Sequence, residues 1–182
     1  MRGGSRLASR SATSPRTTTW RRSRSKRRSG TKPSQPPPDP VFFTDRDLGK
    51  IFPGLLRAQG LLVEPYSDHI ANSKAPDAEW LKLVAGKGWI ALSHDDNIRR
   101  DPDAVRAVME NGGRLFILRG ACAHSDLAAM FLQAQKSVRN ILRKNPGAFI
   151  AAVRRSIARG GFVRAEAHLW LTYEQWVRGK GQ

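Results

Sequence analysis

The chain has 182 residues, a formal net charge of +17 and one cysteine, Cys122. That length accommodates one ordinary domain with a real core plus a tail, and a lone cysteine excludes both an intrachain disulfide framework and a cysteine-built zinc site. No apolar stretch approaches a membrane span, Ala148–Val153 being among the longest, so a soluble cytoplasmic protein without membrane contact is expected.

The charge is unevenly placed. Residues 1–40 carry 11 Lys/Arg against one acid, Asp39, hence +10; residues 41–182 carry 21 against 14, hence +7. Such an excess favours polyanionic partners, because each phosphate contact releases counterions, although for the tail plain solubility explains it equally well. Residues 1–40 are rich in Arg, Ser, Thr and Pro and poor in large apolar side chains. A segment like this cannot offset its ordering entropy by burial, and disorder is expected. A basic arm adding RNA affinity, a transit peptide, and a natural start near Val41 are its competing readings, the last being preferred.

From Val41 onward strand and helix patterns alternate. Val41-Phe42-Phe43-Thr44 reads as a strand, and Leu48, Ile51, Phe52, Leu55 and Leu56 then recur at helical spacing, with Pro53-Gly54 either kinking the helix or standing in its first turn. Residues 60–64 give a second strand, Asp77 to Ala85 a helix, 88–93 a third strand, Asp103 to Glu110 a helix and 115–118 a fourth strand. Ser125 is placed to cap one long helix striped by Leu127, Met130, Phe131, Ala134, Val138, Ile141 and Leu142 and closed by Asn145-Pro146. Residues 147–182 mix helical and strand signals and receive no assignment. Continuous apolar strands alternating with helices predict a three-layer α/β domain over 41–146, its central parallel sheet of four or five strands flanked by helices.

Two of these strands run into acids. Val41–Thr44 leads to Asp45 and Asp47, and Gly88–Ser93 leads to His94, Asp95 and Asp96. Open parallel sheets gather ligands at the carboxyl ends of their strands, near the reversal of strand order. Asp45 and Asp95 belong on that rim, and the helix opened by Asp77 and Glu79 can face it. Carboxylates so grouped repel one another unless a cation holds them, and Mg²⁺ or Mn²⁺ suits oxygen ligands. Such an ion activates water and stabilises the leaving oxygen in phosphodiester cleavage. Bland readings compete: Asp77 serves equally as an N-cap, Asp47 as a cap of the first helix, Asp96 as a solvent-facing neighbour of Asp95, and Asp101 and Asp103 as turn and cap residues. His69, His124 and His168 lack ligand spacing.

The segments Phe43–Lys50, Ala75–Leu81 and Leu92–Arg100, in that order and spacing, resemble the PIN-like domains of VapC-type toxins. The resemblance runs from about Val41 through Arg119, with the long helix included. It implies a PIN fold, a Mg²⁺- or Mn²⁺-dependent endoribonuclease acting on RNA, a cognate antitoxin and a homodimer. Carried over by position, Asp45, Asp77, Glu79 and Asp95 are the catalytic acids, with Asp45, Asp95, Glu79 and Asp96 as metal ligands. His94, Arg99, Arg100 and Lys74 are the candidate RNA contacts. Asn97 stands where relatives often have another acid, which favours, as the alternative, an inactive PIN-like module that binds RNA or protein. A phosphoacceptor signalling domain ranks lower, because Leu118 is followed by Arg119-Gly120 and not by the lysine such a site needs.

Overall fold

A computed structural model describes residues 39–157 and 163–180. The expectation of disorder for residues 1–40 falls, but for Asp39 and Pro40, outside the described residues. The strands β1 (Val41–Thr44), β2 (Leu62–Pro65), β3 (Ile90–Ser93), β4 (Arg114–Arg119), β5 (Phe149–Ile157) and β6 (Val163–Thr172) form one sheet ordered β2-β1-β3-β4-β5-β6. The first five are parallel and β6 pairs antiparallel with β5. The expected sheet is therefore present, with β6 as an additional edge. Residues 147–182, unassigned in the sequence, supply β5, β6 and the closing helix.

Strand composition explains the layering. Successive residues point to opposite faces, and both faces are apolar: Phe42, Leu92 and Phe116 enter one core, while Phe43, Ala91 and Leu115 enter the other. The helices α1 (Ile51–Ala58), α4 (His124–Gln133) and α5 (Gln135–Lys144) cover the first face; α2 (Asp77–Gly86) and α3 (Pro102–Glu110) cover the second. A final helix, α6 (Tyr173–Lys180), follows β6.

Several local expectations resolve or change. Pro53 lies in the first turn of α1, where its missing N–H costs nothing. Asp101 caps α3 by accepting from the Asp103 amide, as expected. Asp77 is the first residue of α2, behind Pro76 at the cap, so it is not the N-cap. The long helix is two helices meeting at Ala134, and the cap position of α4 is Ala123; Ser125 lies inside the helix. Leu83 of α2 is exposed.

The β6 edge is partly closed. The outward amides of Ala165 and Ala167 donate to Gln133 Oε1 (3.2 Å) and Ser137 Oγ (2.8 Å) on α4 and α5. Side chains thus occupy donors that another strand would otherwise use.

Candidate metal and nucleic-acid site

The order β2-β1-β3 makes the chain leave β1 toward one neighbour and return on its other side, so a crevice opens between the carboxyl ends of β1 and β3. Asp45 follows β1 and Asp95 follows β3 by one residue, both at that reversal. The register Thr44↔Leu92, with the Asp45 amide donating to Leu92 O (2.9 Å), puts Ser93 alongside Asp45.

Ser93 is the hub. Its Oγ lies 2.8 Å from Asp45 Oδ2 and 3.2 Å from Asp47 Oδ2, and it accepts from the Asp95 amide at 3.0 Å. A hydroxyl has one proton to donate, so it cannot serve both carboxylates at once. Asp47 also accepts from the His94 amide (2.7 Å), while its Oδ1 is buried without a hydrogen-bond partner. Asp95 caps the following 3₁₀ turn, taking the Asn97 amide at 2.8 Å. The turn after β1 closes on Gly49, whose φ is +59° and whose added Cβ would meet His124 Nδ1 at 3.1 Å. Glycine there lets the chain present both Asp45 and Asp47 on one short turn.

Electrostatics separate these acids. Asp45 is 4% exposed, and burial first, then the Asp47 charge, push its carboxyl up to about 7 despite the Ser93 and Arg46 donors. Burial likewise raises Asp47, against the opposing His94 and Ser93 hydrogen bonds. Asp77 is held at the rim by Trp80 Nε1 (2.9 Å) and the Arg46 guanidinium (3.4 Å), and its charge also raises Asp45. Arg46 further donates to the carbonyls of Ser73 (2.8 Å) and Ala75 (3.0 Å), tying the loop before α2 to the end of β1. Between these elements, beside Asp45, lies a cavity of about 350 Å³ lined in part by Arg46, Lys50 and Tyr66.

The other candidates lie differently. Asp96 turns away into a basic cluster: Arg99 grips it through Nε (2.9 Å) and Nη2 (2.7 Å), Arg119 reaches it at 3.1 Å and Arg100 at 3.7 Å. The Arg99 hydrogen bonds hold its carboxyl below the usual range. His94 uses Nδ1 to donate to Leu118 O (2.8 Å), which anchors the ring at the end of β4. Glu79 and Lys74 are exposed on α2 and on the loop before it. Asp47, Ser93 and Arg46 were not singled out as site residues from the sequence; the Asp-Arg-Asp spacing directly after a strand was the one available signal.

Among the described residues no three His, Cys, Asp or Glu side chains converge as a preformed metal cage. The residues nevertheless fit Mg²⁺ or Mn²⁺. Mg²⁺ keeps several waters and needs only one or two carboxylates plus substrate phosphate, and Asp45 and Asp47 offer hard oxygens, including the orphaned Oδ1. A larger cavity, about 880 Å³, lies elsewhere, against α5 and β6, and holds none of these acids.

A family model for the PIN-like domain matches residues 40–120. A Mycobacterium tuberculosis protein named "Putative ribonuclease VapC45" is 33% identical over 120 residues, covering 63% of this chain and 86% of that protein. This chain belongs to the PIN-like domain family. It is a PIN-like domain of VapC type, and the resemblance carried by the three acidic segments holds. The PIN-like match ends just after β4, so β5, β6 and α6 lie beyond it. No solved structure matches the chain significantly.

Proposed function

We propose that this PIN-like protein is a metal-dependent endoribonuclease of the cytoplasm, acting as the toxin of a toxin–antitoxin pair. The observation that carries the reading is Asp45: a carboxyl buried at the strand reversal, beside a second acid with an unpartnered oxygen, and pushed to about 7. Burying like charges together costs stability, and a divalent cation removes that cost. The name of the mycobacterial relative supports RNA as substrate. So does the excess of 21 Lys/Arg over 14 acids in residues 41–182.

In this reading Asp45 and Asp47 would hold Mg²⁺ or Mn²⁺, with Asp95 and Asp77 as the other acids of the rim. The bound ion supplies an activated water and charge stabilisation at the scissile phosphate. Ser93 orients Asp45 and fixes the Asp95 backbone, and Arg46 pairs with Asp77 at the rim. His94, its ring anchored by the Leu118 carbonyl, is a proposed RNA contact. Glu79, exposed on α2, is a further proposed acid of the site, and Lys74, Arg99 and Arg100 are proposed RNA contacts. An antitoxin and a second copy of the chain are the proposed protein partners. The proposed nuclease domain runs from residue 41 through the sheet's last strand, β6, and residues 1–40 are a basic Arg/Ser/Pro-rich segment outside it.

The test is cleavage of a mixed RNA pool by purified protein with Mn²⁺, Mg²⁺ or EDTA, beside Asp95→Asn. Metal-dependent cutting abolished by the substitution is expected. Absence of cutting by folded protein that also shows no thermal shift with Mn²⁺ would instead establish the inactive binding module that Asn97 suggests.

A further inference from the structure

Beyond the acidic crevice, the same rim carries an arrangement that the metal chemistry does not use. Asp96 accepts from or pairs with three guanidinium groups, those of Arg99, Arg100 and Arg119, leaving two positive charges in excess one residue from Asp95. Arg99 is the most constrained, because two parallel hydrogen bonds fix the plane of its fork on the carboxylate. Its guanidinium carbon then lies 5.7 Å from the ring centroid of Trp170 on β6.

Trp170 is there because of a register fault. Ile150 pairs with Leu171 and Ala151 with Leu169, so Trp170 is the extra residue of a β-bulge. Bulges re-aim a side chain, and this one leaves the largest side chain of the strand 44% exposed instead of packed. The ring borders a shallow cleft of about 40 Å³ floored by Ile117 and Ile150 and walled by Arg99 and Arg119. A cleft that small encloses no ligand; it presents a ring edge and face beside fixed cations. Exposed aromatics next to a cationic groove are how sequence-tolerant single-strand binders hold nucleic acid.

We infer that Trp170 is a stacking platform for an unpaired RNA base, with Arg99 and Arg119, positioned by Asp96, holding the adjoining phosphate on the way to the crevice. This deepens the nuclease reading by specifying a single-stranded substrate. It also assigns Asp96 to RNA positioning and not to the metal. Charge complementarity selects the occupant: three cations against one carboxylate favour a polyanion.

The experiment uses the full chain in EDTA, so that binding is read without cleavage. Affinity for a labelled hexa-adenylate and for the same ribose-phosphate chain without bases is compared in wild type, Trp170→Ala and Trp170→Phe at one salt concentration. Trp170→Ala should weaken the intact hexamer about tenfold. It should leave the abasic chain unchanged, and Trp170→Phe should recover most of the loss. Unlabelled hexamer should also quench a tryptophan signal that Trp170→Phe lacks, a readout that stands even if the alanine variant fails to fold. Equal loss on both oligonucleotides, or quenching identical in Trp170→Phe, overturns the platform. If wild type cleaves RNA while Trp170→Ala binds and cleaves as well as it does, the nuclease reading survives and this inference fails. If Trp170 is quenched by RNA but no metal gives cleavage, the inference survives without the nuclease.

Discussion

Asp45 and Asp96 are both aspartates at the carboxyl edge of the sheet, each beside a second acid in sequence or space, yet their surroundings drive them in opposite directions. Asp45 is buried among hydrogen-bond donors but no close cation, and its carboxyl rises to about 7. Asp96 is partly exposed among three arginines, and its carboxyl falls. The first carboxylate has no internal cation to hold it charged; the second has three. In the proposed function, one half of this rim serves the metal and the other the phosphate. The residue type is the same in both, and only the neighbours differ.

The two aspartates should differ most in activity. Asp45→Asn is expected to lower RNA cleavage about a thousandfold, the upper range for losing one preorganised electrostatic group. Asp96→Asn should leave the rate at saturating RNA within about threefold. Single-turnover cleavage with Mn²⁺ measures both, and equal losses would merge the two halves into one site.

A thermal-denaturation series against pH comes next. Because the folded Asp45 binds its proton more tightly than the unfolded chain does, its contribution is fully favourable below the unfolded value of 3.8. That contribution is lost as pH rises toward 7, by at most about 4 kcal/mol. Asp96 has the opposite sign: its stabilisation is present above the unfolded value and lost on acidification through its lowered folded value. The metal-free protein should therefore lose stability between about pH 4 and 7. Asp45→Asn should flatten that slope, and a slope that survives the substitution assigns it to another group.

Metal linkage sharpens the same contrast at smaller scale. Mn²⁺ at a hundred times its Kd should stabilise the wild type by about 2.7 kcal/mol, a gain measurable as a shift in Tm. Asp96→Asn should keep that gain, and Asp47→Asn should lose most of it. Without metal at pH 8, Asp47→Asn should itself raise stability by about 1 kcal/mol, because it removes the charge that opposes Asp45. Asp96→Asn should change metal-free stability by less than about 1 kcal/mol, as expected for a partly exposed ion-pair cluster.

Much of the fold was legible because the strands β1, β3 and β4 are short, continuously apolar and followed by helical periodicity. β5 and β6 were not, since Arg154, Arg155, Arg164 and Glu166 interrupt their apolar pattern at one end of an edge hairpin where side chains reach solvent. Ser125 misled because a capping residue type stood one position inside the helix it was expected to start.

Within the site, the sequence by itself determined the acids at the ends of β1 and β3, for a strand's exit residue must lie on the sheet rim wherever the strand is placed. It determined the family as well, through the order and spacing of three acidic segments. Which aspartate is stressed and which is satisfied was decided only by tertiary structure. Ser93 meets Asp45 and Asp47 through pairing of strands about fifty residues apart, and Arg119 meets Asp96 across two strand ends. Trp170 reaches Arg99 through a bulge that no local pattern marks. Burial and ion pairing depend on distances through space, and a carboxylate's charge state follows those distances more than its place in the chain.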